Sequence, residues 1–355
     1  MSNQLTTSTR IQNLDYFRGV AATSIMMYHF LTWSYGHFDA GDFWGKVGIY
    51  GVSVFYILSG LTMCVVYQDK ITKDLKTILD FFLKRIVRIF PLLWLATLLT
   101  IFISPKKFGL DIILANFTGL FGFIKPEAYI CNGAWSIGNE LVFYVFFPLF
   151  ILSFKFLKPL FYLIIGLSIL ALLYFAFYKL DHTQTLSQQW KTYVNPFNQI
   201  HLFMGGYLIG ILFKNTHVNK WVCRTLLILG LSLFYFYPID GDQINIVSGM
   251  ERLLFTLICL LITFSIYKDD YKLTGVFKKF MLFLGEASYS IYLLHQIVFS
   301  IVNGANTHYL HVNQVLTIIA SVIGTFILGY FVYFYFEKPS MEKGRVQIKK
   351  LLYKN

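Results

Sequence analysis

The chain has 355 residues, of which 56% are hydrophobic and 19% aromatic, while only 14% are charged. A soluble domain carries about 25% charged residues, so the composition excludes an ordinary globular protein and points to an all-α polytopic membrane protein. In such a chain the net charge of +12 reports which side the Lys and Arg fall on rather than a nucleic-acid partner.

The first ten residues, MSNQLTTSTR, are polar, and no cleavable signal peptide follows them. A span needs about 20 mainly apolar residues. Ten stretches qualify as expected spans: 14–36, 47–67, 89–104, 134–154, 158–178, 196–213, 219–237, 249–267, 280–301 and 312–336. Before the third, residues 74–88 place apolar side chains at helical spacing among basic ones, the pattern of a cytoplasmic amphipathic surface helix. Residues 108–124 are apolar but interrupted by Asp111, Asn116 and glycines, and are expected to form an outer re-entrant or interfacial element. With both termini cytoplasmic, 23 of the 30 Lys and Arg, Arg10 included, fall on the inner side. The expected organisation is a tail over 1–13, one transmembrane domain over 14–339 and a basic cytoplasmic tail over 340–355. Cys64, Cys131, Cys223 and Cys259 show no metal or disulfide spacing.

Polar residues at depth are functional candidates, because burying them in lipid is costly. In the first span Arg18 and His29 are eleven residues apart, about three turns and roughly 16 Å on one helix face. On the ten-span topology His29, Glu140 and His295 come to one level in the outer third, whereas Arg18, Arg85 and Arg88 gather at the cytoplasmic end. A histidine beside a carboxylate can deprotonate a hydroxyl for attack on an acyl donor. His29 is therefore the expected base and Glu140 its expected assistant. The arginines suit the phosphates of a nucleotide-like donor. Trp135, Ser136 and Asn139, in the run leading to Glu140, and His295 are expected to bind the acceptor. Ser53, Ser59 and Gly60 in the second span either permit close helix packing or line a narrow path. Asp15 is placed for an i,i+3 pair with Arg18, and Glu251 for a pair with Arg252. Two other classes stay open on these residues: a proton-coupled transporter or flippase of a lipid-linked sugar or anionic metabolite, and a non-catalytic scaffold.

Six runs in order, Arg18-x10-His29, GVSVFYILSG (51–60), KRIVRIFPLLW (84–94), WSIGNE (135–140), SYSIYLLH (288–295) and EKP (337–339), resemble the acyltransferase family 3 membrane O-acyltransferases of bacterial surface glycans over residues 14 to 339. The resemblance implies a ten-helix core in the bacterial inner membrane. It implies acetyl-CoA or another acyl-CoA as cytoplasmic co-substrate, with no metal. The acceptor is then a surface polysaccharide or lipid-linked sugar, reached among membrane lipids, and a homo-oligomer is compatible with it. By resemblance His29 is the catalytic base, Glu140 assists it, and Arg18, Arg85 and Arg88 bind the CoA phosphates. The esterase-like extracytoplasmic domain of some members is not expected within these residues.

Overall fold

A computed structural model describes residues 11–269 and 271–353; Arg10 and most of the expected N-terminal tail lie outside the described residues. The described residues form helices and no strand. In order these are α1 (Gln12–Tyr35), α2 (Phe43–Tyr67), α3 (Leu75–Ile103), α4 (Leu110–Thr118), α5 (Phe121–Ile124), α6 (Ala134–Phe156), α7 (Lys158–Tyr174) and α8 (Trp190–Tyr193). There follow α9 (Pro196–Phe213), α10 (Lys220–Phe236), α11 (Ile244–Val247), α12 (Gly249–Lys268), α13 (Gly275–Glu286), α14 (Ser288–Ala305), α15 (Gln314–Val332) and α16 (Lys338–Tyr353).

By length and composition six segments can cross a membrane: Phe43–Tyr67, Leu75–Ile103, Ala134–Phe156, Lys158–Lys179, Gly249–Lys268 and Gln314–Tyr353. The chain is thus a multi-pass membrane protein. The other four expected spans are helical where the sequence places them, as α1, α9, α10 and α14, but they are shorter or more polar. Two boundaries differ from expectation. The amphipathic stretch and the third span are one helix of 29 residues. Asp74 starts it, accepting a hydrogen bond from the Lys76 N–H at 3.0 Å. Pro91 lies inside it, where the missing N–H costs one backbone bond without ending the helix. The ninth expected span is divided at Ala287 between α13 and α14. The expected basic tail is helical as α16, and a Cβ on its Gly344 would meet the Val87 side chain of α3 at 2.2 Å.

The 108–124 stretch forms α4 and α5, of 9 and 4 residues, too short to cross a core of about 30 Å at about 1.5 Å per residue. Gly119 separates them with φ +75°, a left-handed turn that glycine adopts without strain. The buried Asn116 ties the stretch down, donating to the carbonyls of Ile112 and Ala128 and accepting from the Ile130 N–H.

Small residues set the central crossings. A Cβ on Gly60 of α2 would lie 2.0 Å from the Phe203 carbonyl oxygen of α9, and one on Gly206 of α9 would lie 1.9 Å from the Ile57 oxygen of α2. Two backbones touch there, which only glycine on both sides allows. Gly60 is therefore a packing residue and not part of a path wall, the first of the two alternatives its sequence context left open. Phe143, Phe147, Phe150, Phe203 and Tyr207 fill the adjoining core between α6 and α9.

Candidate active site

One cavity of about 110 Å³ opens between α1, α2, α3, α6 and α14. Arg18, Arg85 and Arg88 line it, with Glu140 as the only carboxylate. The three expected donor-binding cations are therefore brought together, and the wall carries an excess of positive charge. The Arg18 guanidinium donates to Thr62 Oγ1 at 3.0 Å and meets Asp15 Oδ1 at 3.4 Å, the expected i,i+3 pair. Arg85 donates to the Tyr67 hydroxyl at 3.1 Å and lies over the rings of Tyr67 and Tyr144. Its buried Nε has no partner among the described residues. Arg88, one helical turn along α3, lines the same cavity. Guanidiniums held by rings and hydroxyls, with donors to spare, suit the oxygens of an incoming anion.

Glu140 stands apart from His29. Its carboxylate accepts from the Tyr144 hydroxyl at 3.1 Å, and Ser59 Oγ lies 2.9 Å from that hydroxyl. No hydrogen bond or ion pair among the described residues joins Glu140 to His29. The partner of His29 is His295: Nδ1 of His29 lies 2.8 Å from Nε2 of His295. The expected His29–Glu140 couple is corrected accordingly. Equal height in a bundle does not make two side chains neighbours; Glu140 faces the arginines of α1 and α3.

The second nitrogen of His295, Nδ1, lies 3.3 Å from the Ile291 carbonyl oxygen one turn back. A carbonyl only accepts, so Nδ1 carries the proton and Nε2 presents a lone pair to His29. Nδ1–H of His29 then donates, and Nε2 of His29 remains unprotonated. Trp33, one turn on from His29, stacks on both imidazoles, with ring centres 5.1 and 5.9 Å away and interplanar angles of 9°. Tyr292 links the two regions: it lines the arginine cavity, and its ring centre lies 6.1 Å from that of His295.

The remaining expected residues divide. Ser59 and Ser136 line the arginine cavity, and Ser136 Oγ is 3.0 Å from the Tyr292 hydroxyl. Asn139 is buried behind the wall, donating to the hydroxyl of Tyr56, a cavity residue, while its Oδ1 has no partner among the described residues. Trp135 packs edge-on against Tyr56 and Trp190. Ser53 lines a different chamber, near Arg252. Arg252 itself donates to the carbonyls of Val247 and Asn198, and no ion pair with Glu251 forms among the described residues, so that expected pair is also corrected. Among the described residues no three His, Cys, Asp or Glu side chains gather into a metal site.

Sequence reasoning missed Tyr144, Tyr289, Tyr292 and Trp33. The signal was present. Tyr144 is four residues after Glu140, Trp33 four after His29, and Tyr289, Tyr292 and His295 repeat at intervals of three in SYSIYLLH, spacings that share a helix face.

Comparison with known proteins gives the chain's family. A family described as an acyltransferase domain, acyltransferase family 3, matches residues 11–334. A Staphylococcus aureus (strain COL) protein provisionally named an O-acetyltransferase is 24% identical over 82% of this chain and 51% of its own length. The peptidoglycan O-acetyltransferase OatA of Listeria monocytogenes is 22% identical over 94% of this chain and 56% of its own length. The chain spans about half the length of the curated relatives it matches. No solved structure matches. With the match covering nearly all of its length, this chain belongs to acyltransferase family 3.

Proposed function

We propose that the protein transfers an acyl group, acetyl in the simplest case, from an acyl-CoA to a hydroxyl of a surface glycan or lipid-linked sugar. The observation that carries the proposal is the ordered chain from the Ile291 carbonyl through His295 to His29, set beside a cavity with three arginines. In this reading the CoA phosphates lie on Arg18, Arg85 and Arg88. The pantetheine arm runs along α1 past Tyr292 to His29, about 16 Å from Arg18 at about 1.5 Å per residue. An acceptor hydroxyl gives its proton to Nε2 of His29 while its oxygen attacks the thioester carbonyl. The tetrahedral intermediate collapses, the C–S bond breaks, and the CoA thiolate leaves and takes the proton from the imidazolium. His295 holds the base in the tautomer that can accept, as the third member of a triad does. The flat Trp33 ring favours the imidazolium that forms. Glu140, bonded to Tyr144, serves as counter-charge and positioning group for the arginines rather than as the direct partner of the base. No serine or cysteine nucleophile is invoked, so transfer is direct.

The same reading uses ten spans across a bacterial inner membrane with both termini cytoplasmic, α4 and α5 as the outer element, and residues 14–339 as one acyltransferase domain. The donor enters from the cytoplasm and the acceptor from outside. The family relationship supports the acyltransferase class, and the names of the S. aureus and L. monocytogenes relatives support O-acetylation of an envelope glycan.

The test is turnover of labelled acetyl-CoA by purified protein with glycan acceptors. His29→Ala should remove transfer while donor binding persists. Transfer retained in that variant, or a bound donor whose thioester stays at the cytoplasmic surface, overturns the mechanism.

A further inference from the structure

The arginine cavity stops short of the histidine pair. His29 and His295 are not among the described residues that line it, whereas Phe55 of α2 and Tyr292 of α14 are. The register of α1 against α2 fixes the height of this closure. Arg18 reaches Thr62, a Cβ on Gly51 would meet the Ile25 side chain, and one on Gly48 would meet the Tyr28 ring. The two helices therefore run antiparallel. Phe55 stands between the Arg18 level and the Ile25 level, and His29 lies about one turn beyond Ile25. On α14, Tyr292 lies about one turn before His295, and its ring centre is 6.1 Å from that imidazole. The Phe55 and Tyr292 rings meet edge-on, with centres 5.7 Å apart.

The two rings are held differently. The Tyr292 hydroxyl donates to the Gly133 carbonyl at 3.0 Å, and Ser136 Oγ lies 3.0 Å from it, so the ring is tied to the start of α6. Phe55 has no polar atom to tie it. It is half-buried, and it packs against the cluster of Ala22, Met26 and Phe30 as well as against the main core. Moving Tyr292 breaks buried hydrogen bonds, which is costly; turning Phe55 breaks none. An acyl group carried from the arginines to His29 passes this pair. An apolar passage discriminates by size, at about 10–200-fold in kcat/KM for one methylene.

We propose that Phe55 and Tyr292 form an acyl selector, with Tyr292 as the fixed wall and Phe55 as the yielding one, which passes an acetyl group and holds back longer chains. The inference rests on the acyl-transfer reading and adds to it the residues that set the donor's chain length. Both rings act by shape and take no part in the bond changes.

The test compares acetyl-CoA with butyryl-CoA, using the full chain in detergent and one glycan acceptor, and reads the ratio of their kcat/KM values. Because the ratio is taken within one preparation, it does not depend on how much of a variant is folded. The unaltered protein should prefer acetyl-CoA by about a hundredfold, two methylenes at about tenfold each. Phe55→Leu should cut that preference about tenfold and Phe55→Ala further, through a rise in the butyryl-CoA value. Gly60→Ala, which disturbs the α2–α9 crossing instead, should keep the wild-type preference. Acetyl transfer with no preference in the unaltered protein, with a preference unchanged in both Phe55 variants, or with one that falls as far in Gly60→Ala overturns the selector and leaves the acyl-transfer reading standing. Transfer from neither donor overturns that reading, and the selector with it.

Discussion

The molecule holds buried arginines in two places, and the two are built differently. In the cavity between α1, α3 and α6, of about 110 Å³, three guanidiniums share the wall with one carboxylate and several tyrosines. Beside α9 and α12, Arg252 and His201 line a far smaller space of about 10 Å³, and the Arg252 guanidinium has the carbonyls of Val247 and Asn198 as its partners. In the first place Arg85 keeps a donor without a partner among the described residues, whereas in the second Arg252 spends its donors on backbone carbonyls. A count of buried cations alone would treat them alike.

The largest expected effect concerns what lies beyond the first site. His29→Ala should lower acyl transfer by about 10²–10⁴-fold, the usual worth of a general base, with donor binding unchanged. Next is its support. His295→Phe should lower kcat by about tenfold or more and alter the pH profile, because His29 loses the acceptor that sets its tautomer. His295→Gln, whose carbonyl oxygen can take the same N–H, should recover part of the loss. Loss of KM alone would show that His295 only binds the acceptor.

Replacing Arg85 and Arg88 by Ala together should raise the donor KM about ten- to hundredfold, the scale of losing charge-assisted hydrogen bonds. Arg252→Gln should leave donor KM unaffected. Equal effects of the two changes would erase the distinction between the two places.

Packing predicts a smaller, purely structural change. Gly60→Ala forces a Cβ to within 2.0 Å of the Phe203 oxygen, at a cost of about 1–3 kcal/mol if the crossing shifts to accept it. A lower melting temperature with an unaltered donor KM is expected, measured in the same detergent.

The smallest effect is at an exposed cation. Lys214 reaches Asp69 at 2.6 Å, and its hydrogen bond holds the Asp69 carboxyl below the usual carboxylate range. A depressed carboxylate contributes stability above its unfolded pKa of about 3.9. That contribution is lost as pH falls through the lower folded value. Asp69→Asn should flatten that acid limb by less than about 1 kcal/mol, since Asp69 is 76% exposed and well screened. Unchanged acid sensitivity would show that the pair contributes nothing.

Much of this was legible in the sequence. Apolar runs of span length placed the helices, since lipid demands that every backbone group be bonded within the segment. Fixed helical spacing put Arg18 and His29 on one face, and the adjacent pair Arg85 and Arg88 on another. Helix ends were less legible: apolar spacing led from the amphipathic stretch towards the third span but did not fix Leu75–Ile103 as one helix through Pro91, and nothing local announced that Ala287 would divide a span.

What the sequence could not supply was azimuth. A span position gives height in the membrane, and at equal height Glu140 and His295 were indistinguishable as partners of His29. Which of them reaches it depends on how α6 and α14 rotate against α1, and that is set by packing far away in sequence, such as the Gly19 and Gly285 approach between α1 and α13. Likewise Asn198, His201 and Arg252 lie at the starts of two separate helices and form a chamber only when those helices meet. Composition and periodicity, acting over a few turns, determined that this chain is a helical membrane protein. Long-range packing alone decided which polar side chains share a cavity, because side-chain neighbours across a bundle are chosen by helix rotation and not by distance along the chain.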